Sequence, residues 1–206
     1  MVKVFQIYFD DKSKGNLLTA KNETFIPFFN PTLTKWYETD VIVRLLEDPS
    51  YYAGAEWLGI VSHKFLRSRA KGTFDYPIEQ FQYYISNSGA DVCTFFKSFR
   101  NGRMFSGREQ KAYETVFNTC MEQIGFKYRE PKQIRGNVIF QNHFIARVPI
   151  YEAYYKECLL PVMRFIDDYK PAAGIMTYRG ATMHPFICEK LMQAYVIEKK
   201  LLLKSF

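Results

Sequence analysis

Between residues 2 and 9 polar positions interrupt a run of β-branched and aromatic side chains, a pattern that predicts a strand. Residues 10–15, with Asp10, Asp11, Lys12, Ser13 and Lys14 ahead of Gly15, read as a polar loop. The aromatic stretch 25–31 is broken by Pro27 and Pro31, so it does not fit an inner strand. It predicts an aromatic loop laid over the end of a sheet. Thr39 or Asp40 is placed to cap a short helix ending at Leu46. Residues 54–62 contain the short apolar run of a buried strand, followed at once by Ser62-His63-Lys64-Phe65. Asp75 and Pro77 predict the start of a helix with Ile78, Phe81, Tyr84 and Ile85 on its apolar side, and 90–96 reads as another strand.

The second half shows helical spacing more clearly. Ser106 and Glu109 have the spacing of a capping box. Behind them Tyr113, Val116, Phe117, Cys120, Met121 and Ile124 recur at helical intervals, and Gly125 supplies the stop. Residues 137–146 predict a strand. A long helix follows, carrying Tyr151, Tyr154, Cys158, Leu159, Val162 and Ile166, with a kink expected at Pro161. Further on, a polar loop containing Gly180 runs into Pro185, a residue suited to the first turn of a helix. That helix places Ile187, Leu191, Ala194 and Tyr195 on one stripe, with Met192 and Val196 beside it and Glu189 on the second apolar face. Strands alternating with helices predict one α/β domain over 1–206, with a mostly parallel sheet flanked by helices and the first strand inside it.

Length and composition narrow the function. A chain of 206 residues can bury an ordinary core. Its formal charge of +7 favours anionic partners such as nucleotides, phosphates or an acidic membrane surface. The basic residues are scattered and form no clear nucleic-acid motif. Cys93, Cys120, Cys158 and Cys188 stand far apart in apolar segments, and no secretory leader is evident, which together predict a reduced, cytoplasmic setting. No apolar run is long enough to span a bilayer. The tail 198–204 could make a peripheral membrane contact, or be a last helical turn and a closing strand.

Candidate chemistry lies where polar groups interrupt these elements. His63, His143 and His184 share no metal-ligand spacing, and neither a nucleophile elbow nor a phosphate-binding glycine loop is present. Asp10-Asp11 could bind a metal or simply be solvated. Asp91 could face a cleft or close the preceding turn. Ser62-His63-Lys64 follows a buried strand, where α/β sheets bind ligands, although an exposed turn fits equally. Asn142-His143 is either a satisfied core pair or two groups reaching into that cleft. Glu189, close in sequence to His184 and Arg179, is either a tuned functional carboxyl or half of a structural ion pair.

Several segments, in order along most of the chain, resemble small bacterial glycosyltransferase-like proteins of capsular and surface polysaccharide synthesis. They are 4–8, 25–30, 58–65, 91–96, 142–146 and 184–191. The resemblance implies a GT-A-like nucleotide-binding fold and transfer from a nucleotide-sugar donor to a glycan or lipid-linked acceptor. It implies a donor pocket of Gln6, Tyr8, Asn30, Ser62 and Lys64, with Tyr8 stacking on a base and Lys64 meeting a phosphate. Asn142, His143 and Arg179 join the substrate-binding set, and Glu189 or His184 is the catalytic base. A clear D-x-D is missing, so a divalent cation is possible but metal dependence stays open. Without a metal, Lys64, Arg179 and the helix start at Pro185 would stabilise the leaving diphosphate. The alternative is a non-catalytic binding or structural module, for example of a bacteriophage or surface assembly, that keeps the fold.

Overall fold

The first strand forms as its pattern predicts, and its two neighbours define the sheet. The computed structural model describes residues 1–19, 22–32, 34–63, 65, 78–95, 107–129, 137–139, 142–169 and 182–205. Lys64, Asp75, Pro77, Ser106, Arg179 and Gly180 lie outside the described residues. Strands β1 (Val2–Tyr8), β2 (Phe25–Phe29), β3 (Trp57–Ser62), β4 (Val92–Thr94), β5 (Phe144–Arg147) and β6 (Leu203–Ser205) make a six-stranded sheet. Their order is β2-β1-β3-β5-β4-β6. β1 pairs parallel with β2 and β3, β5 runs antiparallel to β3 and β4, and β4 pairs parallel with β6. The architecture is α/β, with helices flanking the sheet.

Both faces of the sheet are buried, and alternation sorts the side chains between them. Phe5 and Ile7 of β1 and Leu58 and Ile60 of β3 belong to the larger cluster. It is closed by α2 (Glu38–Glu47), α4 (Gly107–Gln123), α5 (Val148–Tyr154), α6 (Leu160–Asp168) and α7 (His184–Glu198). Val2, Val4, Trp57 and Val61 join the smaller cluster with Leu18, Phe65 and, from α3 (Phe81–Ser86), Phe81 and Ile85. The four cysteines are buried and unbridged, as their apolar settings predict. No helix among the described residues is long and apolar enough to cross a membrane.

Several elements differ from expectation for physical reasons. Residues 25–29 form a strand, not a loop. β2 is an edge strand with one partner, so the missing N–H of Pro27, opposite Gln6, leaves no gap inside the ladder. The polar loop after β1 contains a short helix, α1 (Asp11–Lys14). Asp10 Oδ1 accepts from Ser13 N at 2.6 Å, and Ser13 Oγ accepts from Asp10 N at 2.9 Å, a reciprocal cap. α2 begins at Glu38, which puts Thr39 and Asp40 inside its first turn instead of at the cap. β5 is shorter than 137–146 because Asn142 takes a left-handed backbone, φ 57°, that ends the extended run. The expected kink at Pro161 is a π turn at Tyr155–Leu159, where the Leu160 N–H reaches Tyr155 O. Residues 198–205 form the last helical turn and closing strand. Glu198 Oε2 accepts from Lys127 N and Tyr128 N, and Asp91 Oδ2 accepts from Leu202 N.

α7 is buried on nearly every side, from His184 and Ile187 through Lys190 and Gln193 to Val196. A helix with apolar residues all round belongs in a core, and α7 lies in the larger cluster with α2 and α6. Gln193 meets its polar demand there by accepting from Ile139 N at 2.8 Å.

Gly59 decides how close β3 and β5 can come. A Cβ at Gly59 would lie 2.6 Å from Ile145 Cγ1 and 3.3 Å from Phe144 O. Gly59→Ala is expected to cost about 1–3 kcal/mol by overpacking. Combining it with Ile145→Ala should cost less than the sum of the two single changes, because the clashing methylene is gone. Chemical denaturation of the four proteins of the cycle checks this, and strict additivity would mean the clash is relieved elsewhere.

Candidate functional site

The parallel strands β2, β1 and β3 all end on the same side of the sheet, the side where open α/β sheets bind ligands. There Tyr8, Phe9, Asp10, Asp11, Lys14 and Phe29 line an open cleft of about 380 Å³. The Tyr8 and Phe29 rings lie 5.2 Å apart at 37°. Phe29 is 51% exposed, so it presents ring surface to solvent. The Asp10 carboxyl is held below its ordinary value, first by the Ser13 hydrogen bonds and to a lesser extent by His63 and Lys12. With Asp10 and Asp11 against Lys14, the cleft suits hydrogen-bond donors and an aromatic ring better than phosphate oxygens.

Two residues expected in the donor pocket are occupied by the fold. Gln6 is fully buried, its Oε1 accepts from Leu18 N at 2.7 Å, and its Nε2 donates to Asn16 O at 3.3 Å. It ties the segment after α1 to the sheet. Asn30 accepts from Arg44 Nη2 at 2.5 Å through Oδ1, and its own N–H donates to Tyr8 O at 2.8 Å. That pair fastens α2 to the ends of β1 and β2.

Because β5 runs against β3, its amino end lies at the carboxyl end of β3. The His143 ring accepts at Nε2 from Ser62 N at 3.3 Å, with Ser62 Oγ at 3.2 Å from the same nitrogen. An accepting Nε2 puts the proton of the neutral ring on Nδ1. Burial pushes the His143 pKa down to about 3, so the ring is neutral at physiological pH. Beside it Asn142 is 5% exposed, and its Oδ1 is enclosed with no hydrogen-bond partner. On the β1 side His63 stands edge-on to Phe9, with ring centroids 4.8 Å apart. Tyr8, Ser62, Asn142 and His143 thus share the carboxyl end of the sheet, while Lys64 and Arg179 lie outside the described residues.

His184 and Glu189 belong to α7, against the start of α2. The His184 ring meets Trp36 edge-on at 4.8 Å, and its Nδ1 has no hydrogen-bond partner. Burial lowers the His184 pKa, helped by Lys35 and opposed by Asp167, and these two form an ion pair with each other. Glu189 keeps part of its surface at solvent, yet its carboxyl is enclosed. Burial first, then the like charge of Glu38, pushes it up to about 8 against the pull of Lys190. Glu38 lies in the first turn of α2, the helix that follows β2 in the chain, so the interaction with Glu189 joins α7 to that turn.

Phe29, Lys14 and Arg44 are site neighbours that sequence reasoning did not select. The Asp10–Ser13 spacing could have revealed α1 and the cleft it borders; Arg44 carried no local signal. Among the described residues no group of three or more His, Cys, Asp or Glu side chains could hold a metal ion. Asp10 gives one carboxylate oxygen to Ser13 N, which leaves its other oxygen and Asp11 beside the cleft.

No protein-family model matches the chain, and no curated protein matches it. Among solved structures it is similar to WbbM, a bifunctional glycosyltransferase in its apo form, with a TM-score of 0.61. The two chains are 14% identical, and the match covers 99% of this chain and 44% of that one. The present chain therefore spans less than half the length of that bifunctional protein. At this identity the likeness carries the fold alone: this chain has a glycosyltransferase-like fold.

Proposed function

We propose that this chain is a sugar-transfer domain that holds a nucleotide-sugar donor across the carboxyl ends of β1 and β3 and the amino end of β5. It would pass the sugar to a hydroxyl of a glycan or lipid-linked acceptor. The observation that carries this reading is the cleft beside the Tyr8–Phe29 ring pair. A nucleobase stacks on such rings, and the Asp11 carboxylate can accept from base N–H or ribose O–H groups. In the transfer, the acceptor oxygen bonds to the anomeric carbon while the bond from that carbon to the diphosphate breaks. The nucleoside diphosphate leaves with the electron pair, and a base takes the hydroxyl proton.

Glu189 is the group we assign as base. A carboxyl raised to about 8 is close in strength to what proton transfer near neutrality needs. His184, neutral and with an unpartnered Nδ1, stands one turn earlier on α7 and is the second candidate.

Uridine or guanosine diphosphate is expected to raise the melting temperature of the protein, because a ligand of the native state stabilises it. Phe29→Ala should weaken that binding roughly 5–100-fold, the scale of one base–aromatic stack, with little change in the stability of the free protein. Absence of a shift with every nucleoside diphosphate would sink the donor reading.

For Glu189→Gln, transfer should fall roughly 10²–10⁴-fold with donor affinity little changed. In the wild type, kcat/KM should climb with pH and level off above about 8, as the carboxyl ionises. A variant with wild-type turnover would return Glu189 to a structural role. Stability offers an independent check. The folded carboxyl keeps its proton up to about pH 8, whereas an unfolded glutamate loses it near 4.5. Its contribution is therefore full below about pH 4.5 and drains away as pH rises to about 8. Glu189→Gln should match the wild type at pH 5 and gain on it up to about pH 8, which melting curves across that range can read.

A further inference from the structure

We propose that Asn142 reads the hydroxyl groups of the transferred sugar, using an amide whose oxygen the fold leaves unpaired. The inference rests on the donor reading above and adds to it the part of the donor that meets β5. Two features of Asn142 are unfavourable for folding alone. Its backbone is left-handed, φ 57°, and its side chain is 5% exposed with Oδ1 enclosed and unpartnered. A left-handed asparagine serving a turn ordinarily bonds its own backbone two residues on. Here Oδ1 makes no hydrogen bond, and it is the main-chain oxygen that is used, by Phe144 N at 3.1 Å. Buried polar groups without partners are rare enough to need a cause, and strained backbone gathers at ligand sites.

Position and chemistry select the sugar. Asn142 leads into β5, two strands along from β1 in the order β1-β3-β5, which is about 10 Å at ordinary strand spacing. A base stacked beside Tyr8 and Phe29 leaves its diphosphate to bridge that gap, which brings the sugar toward β5. Phosphate is a poor fit at this point, because the adjoining His143 is buried, neutral and bonded to Ser62. A planar amide offers one acceptor oxygen and two N–H donors side by side. Two neighbouring sugar hydroxyls present the complementary pattern, so the ligand class is a hexose carrying a vicinal diol.

The test compares thermal shifts of the full chain with bare uridine and guanosine diphosphates and with their glucose, galactose, mannose and N-acetylglucosamine conjugates. The wild type should be stabilised further by at least one conjugate than by its bare diphosphate. Asn142→Gly accepts the left-handed backbone without strain and removes the amide, so its own melting temperature should equal or exceed that of the wild type. It should keep the diphosphate shift and lose the sugar increment, a weakening of roughly 10-fold or more for two lost hydrogen bonds. Asn142→Asp, which keeps the shape but not the N–H donors, should lose part of the increment. A retained increment in Asn142→Gly overturns the proposal, and so does a large loss of stability in that variant, which would mark Asn142 as structural. A diphosphate shift with no sugar increment in the wild type overturns this proposal and leaves the donor reading standing. No shift with any diphosphate overturns both.

Discussion

The reversal of direction between β3 and β5 is the constraint on which the rest of the molecule depends. β3 carries a parallel neighbour on one side and an antiparallel one on the other. The second contact is close because Gly59 has no side chain to hold Ile145 away. Had β5 run parallel, its amino end would lie at the opposite edge, far from the ends of β1 and β2. As it is, Asn142 and His143 arrive beside Ser62, and a polar surface forms across three strands contributed by distant parts of the chain.

Around that junction, polar side chains divide into those the fold consumes and those it leaves over. Gln6, Asn30 and Ser13 are consumed, each closing a hydrogen bond that fixes a loop or a helix to the sheet. Tyr8, Phe29 and Asn142 are left over, the two rings lining the cleft and the amide oxygen unpaired. The division explains how one end of the sheet can be rigid and still have chemistry to spare: the first group sets the positions at which the second is displayed.

Much of the fold was legible in the sequence because it rests on local periodicity. β1 and β3 were visible as short apolar runs, and α4 from the spacing of Tyr113, Phe117 and Cys120 with Gly125 as a left-handed stop, φ 74°. The partial burial of Glu189 followed from its place on the helical wheel. What stayed hidden depends on partners remote in sequence. Pro27 argues against a strand only if the strand has two neighbours, and nothing local says that β2 has one. Gln6 has the chemistry of a ligand contact, yet backbone groups near Leu18 use it up. The rise in the Glu189 pKa owes part of its size to Glu38, on another helix. The left-handed turn at Asn142 carries no glycine to announce it.

The burial of α7 also bears on how the molecule is made. Synthesis delivers α7 after every other described helix, yet it fills the centre of the larger cluster. Until residues 184–198 have emerged, the parts of α2 and α6 that α7 covers have no final partner. Domains usually fold as units during translation, and exposed apolar surface at that stage invites aggregation. A core completed by the last of its described helices therefore leaves apolar surface open until that segment has been made.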